Sequence, residues 1–206
     1  MDTRTVAFVK TVLQSSGRIQ LPKRRLSATT AKDACGVSGT GTMTLETEAD
    51  LFEYQLRSAY YVERRLVDAL DELQTSATDG KLVDAFAEHR DETEVHVDRL
   101  EEAFDLLGME ATEESVPSFD GLLQEKREFD AQAQSEDLQN RFYNQAGRQT
   151  ERMELTMYEG LLTLADELDV DDDVRDLLEQ NRREETAALE KLNSVSEGSS
   201  VLDKLR

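Results

Sequence analysis

The chain has 206 residues, enough for one domain with a sizeable core, and a formal net charge of −21. That acidity opposes a nucleic-acid-binding role, and no apolar run is long enough to cross a bilayer, so neither nucleic acid nor membrane is an expected partner. The single cysteine, Cys35, permits no internal disulfide and fits a reducing, cytoplasmic setting.

Residues 1–43 hold seven Lys/Arg against two acids, are rich in Ser and Thr, and are punctuated by Gly17, Gly36, Gly39 and Gly41. Val6 to Leu13 is a short apolar run without a convincing cleavage site for a secretory signal. These residues are expected to form a basic disordered leader, or a stretch upstream of the real start at Met43. The remainder carries 17 basic and 43 acidic residues, and only four of the basic ones are lysines: Lys81, Lys126, Lys191 and Lys204. Such a surface suits a halophile's cytoplasm, where salt screens self-repulsion.

From Leu45 onward apolar residues recur at three- and four-residue spacing, and no segment alternates as a strand would. The first main helix is expected over about 47–75, with Phe52, Leu56, Ala59, Tyr60, Leu66, Val67 and Leu70 on one face. Thr78-Asp79-Gly80 interrupts it. The second covers about 82–107 and stops at Gly108, a natural residue to follow a helix C-terminus. A link of about 108–135 follows, with its own amphipathic stretch at 119–129. The third main helix covers about 136–168 and the fourth about 174–195, after the acidic turn Asp171-Asp172-Asp173. Short links within each pair make antiparallel hairpins, and one long crossover between pairs is the ferritin-like arrangement. The reading is an all-α, ferritin-like antiparallel four-helix bundle over residues 44–196, with a short fifth helix in the crossover and a C-terminal tail at 197–206.

Both histidines lie on the second helix, as His89-x-x-Glu92-x-x-x-His96. Positions i, i+3 and i+7 share one side of a helix, and here that side also carries Leu82, Ala85, Phe86, Leu100 and Ala103. Imidazoles and a carboxylate among apolar neighbours need a partner, either a hydrogen-bonded carboxylate or a metal ion. Each other main helix also breaks its apolar stripe with acid. Glu63 sits centrally on the first and Glu154 on the third, with Glu151 near the edge; the fourth offers Glu184 and Glu185. Uncompensated, four buried carboxylates would repel one another until they protonated. Divalent iron or manganese, held by carboxylate oxygen and imidazole nitrogen, would relieve that repulsion. Tyr60 and Tyr158 project beside Glu63 and Glu154 and are read as supporting residues.

LFEYQLRSAYYVERRLVDAL (51–70), FAEHRDETEVHVDRLEEAFDLLG (86–108), FDGLL in the crossover, QTERMELTMYEGLLTLADELD (149–169) and LLEQNRREETAALEKL (177–192) resemble the YciE/YciF ferritin-like stress proteins. The resemblance spans nearly all of 45–192. It implies a five-helix, dimeric protein similar to rubrerythrin-type di-iron domains, in a family of which some members are described as ferroxidases. Carried over by position, Glu63, His89, Glu92, Glu151, Glu154, Glu184 and Glu185 match the family's polar core positions. Arg152, Leu189 and Ala188 depart from it, the last where a histidine would complete a symmetric set. A site with histidine on one side only is therefore expected, in which His96 shares an ion with Glu92 and His89 gives support. The functional expectation is a homodimer that reacts Fe(II), or Mn(II) in its place, with oxygen or peroxide. The alternative is a non-enzymatic dimeric stress protein whose polar core is structural or only scavenges metal.

Lowering ionic strength lengthens the screening distance and strengthens repulsion within the acidic body. The melting temperature is expected to rise steeply from about 0.1 M towards molar salt; a flat profile in thermal circular dichroism would rule out the halophile reading.

Overall fold

A computed structural model describes residues 45–203, with side-chain environments for 45–196. The leader expected over 1–43 lies outside the described residues. Five helices follow in order: α1 Glu48–Ser76, α2 Gly80–Leu107, α3 Pro117–Asp130, α4 Glu136–Glu167 and α5 Asp172–Asp203. Among the described residues there is no strand, and no helix is long and apolar enough to cross a membrane.

Local chemistry sets the helix ends. Thr47 and Asp50 close a reciprocal capping box at the start of α1, the Asp50 amide donating to Thr47 Oγ1 at 3.1 Å and the Thr47 amide to Asp50 Oδ2 at 3.0 Å. The α1–α2 turn is clamped from α4. The Thr78 amide donates to Asn140 Oδ1 at 3.0 Å, and Asn140 Nδ2 returns a bond to Thr78 Oγ1 at 2.9 Å. Gly108 ends α2 at φ 67°, a left-handed conformation that glycine adopts without strain, while the Met109 amide reaches back to Phe104 O at 2.9 Å. Pro117 opens α3, where a missing N–H leaves nothing unsatisfied.

α1 pairs with α2 and α4 with α5; the two hairpins meet through α2 against α5 and α1 against α4. This is the expected four-helix bundle, with α3 in the crossover. Tyrosine hydroxyls tie α3 down near both ends, Tyr61 donating to Asp120 at 2.6 Å and Tyr143 to Asp130 at 2.7 Å. The helix limits match the periodicity closely except at the end. Residues 197–203, expected as tail, continue α5.

The core is divided. One apolar cluster gathers Phe52, Leu56, Leu100, Phe104, Leu161 and Leu178. A second gathers Leu66, Leu70, Leu82, Phe86, Tyr143 and Leu192. Between them lies a layer of buried polar side chains: Glu63, His89, His96, Glu151, Glu154 and Glu185.

Phe104 is fully buried, and close packing leaves its site little room to collapse. Phe104→Ala should cost about 3–5 kcal/mol in urea unfolding. Leu138→Ala, at a side chain 57% exposed, should change stability by less than about 0.5 kcal/mol. Equal effects would contradict this packing.

Candidate metal centre

Each main helix delivers its polar residue to the same depth because the residue replaces an apolar one in the inward stripe. α1 supplies Glu63, α2 His89 and His96, α4 Glu151 and Glu154, and α5 Glu185. They form two adjoining groups. His89, Glu151, Glu154 and Glu185 place one donor atom each within 4.8 Å of one another, and Glu63, His96 and Glu185 do the same. Glu185 belongs to both.

The distances are close but the alignments are poor for hydrogen bonding. His89 Nε2 lies 3.2 Å from Glu151 Oε1 and 3.6 Å from Glu185 Oε2. His96 Nδ1 lies 2.9 Å from Glu185 Oε1 and 3.4 Å from Glu63 Oε2. Nevertheless both nitrogens of His89, Nδ1 of His96, both carboxylate oxygens of Glu154 and of Glu185, and one oxygen each of Glu63 and Glu151 make no hydrogen bond. Buried polar atoms are rarely left so, and a concentration of them facing one space forms a group that could hold a metal ion. With ligand bonds near 2.1 Å the donors of one ion lie no more than about 4.2 Å apart, and the donors of each group are spaced to suit one.

The two predicted residues that remain outside the groups stand behind the histidines. Glu184, its side chain 34% exposed, accepts from His96 Nε2 at 2.9 Å. Glu92, 37% exposed, lies 3.7 Å from His89 Nδ1. The expected sharing of one ion by Glu92 and His96 is therefore not formed; Glu92 turns toward the histidine one turn before it. The expectation of histidine on one side only is also corrected. A seven-residue step advances about 10.5 Å along the helix, which sends one imidazole to each group, with ring centroids 6.4 Å apart.

The His96 side is braced by a ring of contacts that periodicity does not reveal. Tyr158 hydroxyl donates to Glu63 Oε1 and accepts from Asn181 Nδ2 at 2.9 Å. Asn181 Oδ1 accepts from Arg99 at 3.0 Å, and Arg99 pairs with Glu184 at 2.7 Å, returning to His96. Arg99 and Asn181 were missed as site residues because the partners lie far apart in the chain. Tyr60, read beside Glu63, instead donates to Glu101 at 2.7 Å.

Electrostatics follow from crowding. Burial, then Glu185, Glu63 and Glu151, pushes the Glu154 carboxyl well above the usual range. Burial, with Glu63 and Glu151 adding to it, outweighs the nearby His96 and His89 imidazoles and lifts Glu185 to about 8. Burial opposes a charged His96, yet Glu63 and Glu185 together raise it to about 10. Burial likewise opposes a charged His89, and Glu151, Glu92 and Glu185 outweigh it. Glu184 is lowered: Arg99 and His96 overcome its burial.

A family model described as a domain of unknown function, DUF892, matches residues 47–203. Protein YciF of Escherichia coli strain K12 is 25% identical over 155 residues, which cover 75% of this chain and 93% of that protein. The crystal structure of the E. coli stress protein YciF superposes with a TM-score of 0.69 at 25% identity, covering 73% of this chain and 95% of the other. YcfI of Rhodopseudomonas palustris, provisionally described as structural, matches with a TM-score of 0.69 at 32% identity, over 72% and 94% of the two chains.

Raised folded-state pKa values mean stability that is complete below the unfolded pKa and lost as pH rises through the folded one. For Glu185 that window runs from 4.5 to about 8, and for His96 from 6.5 to about 10. Metal-free protein should therefore lose stability steadily between about pH 5 and pH 9. Glu154→Gln should flatten the slope in urea titrations at stepped pH; an unchanged slope would assign it to surface acids instead.

Proposed function

The chain belongs to the DUF892 family, and on that footing we propose that its buried histidine–carboxylate layer is a two-ion centre of a stress-response protein, taking Fe(II), or Mn(II) in its place, and reacting it with oxygen or peroxide. The observation that carries this is the set of buried, unbonded donor atoms on Glu63, His89, His96, Glu151, Glu154 and Glu185. Charge balance supports it. Four carboxylates offset two divalent ions with both imidazoles neutral. Without ions, the same layer is neutral with two charged imidazoles and two protonated carboxyls. The raised Glu154 and Glu185 and the raised histidines fit that second state.

Bound iron supplies one electron per ion as it passes from the ferrous to the ferric state, which suits the reduction of oxygen or peroxide. The protein's residues do the rest. Glu185 spans both groups. His96 directs Nδ1 inward because Nε2 is held by Glu184, the arrangement by which a carboxylate orients a ligating imidazole. Tyr158 holds Glu63 on its other oxygen. Apolar clusters on both sides keep most water from the layer, strengthening the interactions within it.

A structural reading, in which the layer only fixes helix register, draws support from the ring of Glu63, Tyr158, Asn181, Arg99, Glu184 and His96. No such ring serves Glu154, whose two oxygens are both without a hydrogen bond.

Glu154→Gln separates the two. Under the metal reading it weakens binding of at least one Fe(II) by about 100-fold and leaves metal-free stability unchanged or raised, since a carboxyl that must take up a proton in order to be buried is removed. Anaerobic Fe(II) titration, oxygen consumption and urea unfolding on the same variant provide the check. Wild-type iron binding combined with lower stability would make the layer structural.

A further inference from the structure

Two cavities reach Glu151 from different sides of the bundle. One, of about 190 Å³, lies between α3 and the helices α1 and α4. The other, of about 140 Å³, opens between α2 and α5 and has His89 and Glu151 among its lining residues. Their charges differ. The groove beneath α3 sets Arg65, Lys126 and Arg127 against Asp68, Glu72 and Glu151. The opening between α2 and α5 sets Glu88, Glu92 and Glu151 against Lys191 alone, besides His89. A divalent cation is drawn to the second and gains little from the first.

The opening exists because Ala85, Ala187 and Ala188 end at Cβ where two helices face each other. Ala188 follows Glu185 by three residues and so lies on the same face, leaving space beside the shared carboxylate. Inside are donors without hydrogen bonds: both nitrogens of His89, a side chain only 5% exposed, and one oxygen of Glu151. At the outer end Lys191 pairs with Glu88 across the two helices, with exposures of 37% and 61%. So exposed a pair is weak and readily broken. The volume holds about four or five waters at roughly 30 Å³ each, room for an ion still carrying part of its hydration shell.

We propose that this opening is the port by which divalent cations enter the buried layer, with Glu88 and Glu92 taking the ion from solvent and Lys191 closing the mouth between arrivals. The proposal rests on the metal-centre reading above and adds its route. Lys191 then sets the rate of loading and not the final affinity.

Cobalt(II) uptake by the full chain, followed by stopped-flow absorption and by equilibrium titration, tests it. Ala188→Leu, which fills the opening, should slow uptake more than about tenfold at unchanged stoichiometry. Lys191→Ala, which leaves the mouth acidic, should speed uptake by about threefold or more at unchanged affinity, an effect that fades with added salt. Ala146→Leu, filling the groove beneath α3, should leave the rate as it was. The port is overturned if Ala188→Leu loads at the wild-type rate, if Ala146→Leu is the variant that slows loading, or if Lys191→Ala changes affinity in place of rate. Should Ala188→Leu not fold, Lys191→Ala and Lys191→Glu decide alone, both expected to load faster than wild type. If wild-type protein takes up no cobalt(II), the metal-centre reading fails and the port with it; binding that is insensitive to these variants sinks the port only.

Discussion

Four carboxylates and two imidazoles share a layer from which water is largely excluded, and nearly everything else in the bundle adjusts to that fact. Each carboxylate taken from water carries a desolvation penalty of several kcal/mol, and proximity adds repulsion that bulk solvent would have damped. Glu154 and Glu185 respond by holding their protons far above the usual range, and the histidines by keeping theirs. The apolar clusters on either side supply the stabilisation that allows such a layer to exist at all. A fold selected only for stability would carry leucines at these positions, which is why the layer points to function.

The two halves of the layer are not equivalent. Around His96, a closed set of contacts through Glu184, Arg99, Asn181 and Tyr158 fixes both the imidazole and Glu63. Around His89 there is only Glu92 at 3.7 Å behind the ring, beside a cavity. One half is thus pre-organised by the protein, and the other depends more on what enters it.

Much of this architecture was legible beforehand. The helices follow from apolar spacing, and the end of α2 from Gly108. The inward carboxylates are visible because each interrupts an otherwise apolar stripe. Finer distinctions were not. Glu184 and Glu185 are neighbours about 100° apart around the helix, and the stripe is too broad to say which of them turns fully inward. Glu92 was placed with His96 because i−3 and i+4 neighbours on one helix are both within reach, and spacing alone does not choose between them; the carboxylate lies beside His89. Arg99 meets Asn181 from 82 positions away, a distance over which no periodicity operates. The cavity between α2 and α5 is likewise a property of two facing surfaces. The end of α5 was placed too early because Ser194, Ser196 and Gly198 are weak helix formers, yet the helix continues through them.

The way the helices divide their contributions has a mechanical consequence. Of the donor side chains, α1 supplies one to the His96 group alone and α4 supplies two to the His89 group alone, while α2 gives one imidazole to each and α5 gives Glu185 to both. α2 and α5 also pack directly on each other. A roll of α2 about its own axis would carry both imidazoles together, since a helix is a stiff rod over seven residues. Changes on the outer faces of α2 or α5 therefore reach both halves in concert, whereas changes beneath Glu63 or Glu154 move the donors of one half and reach the other only through its charges.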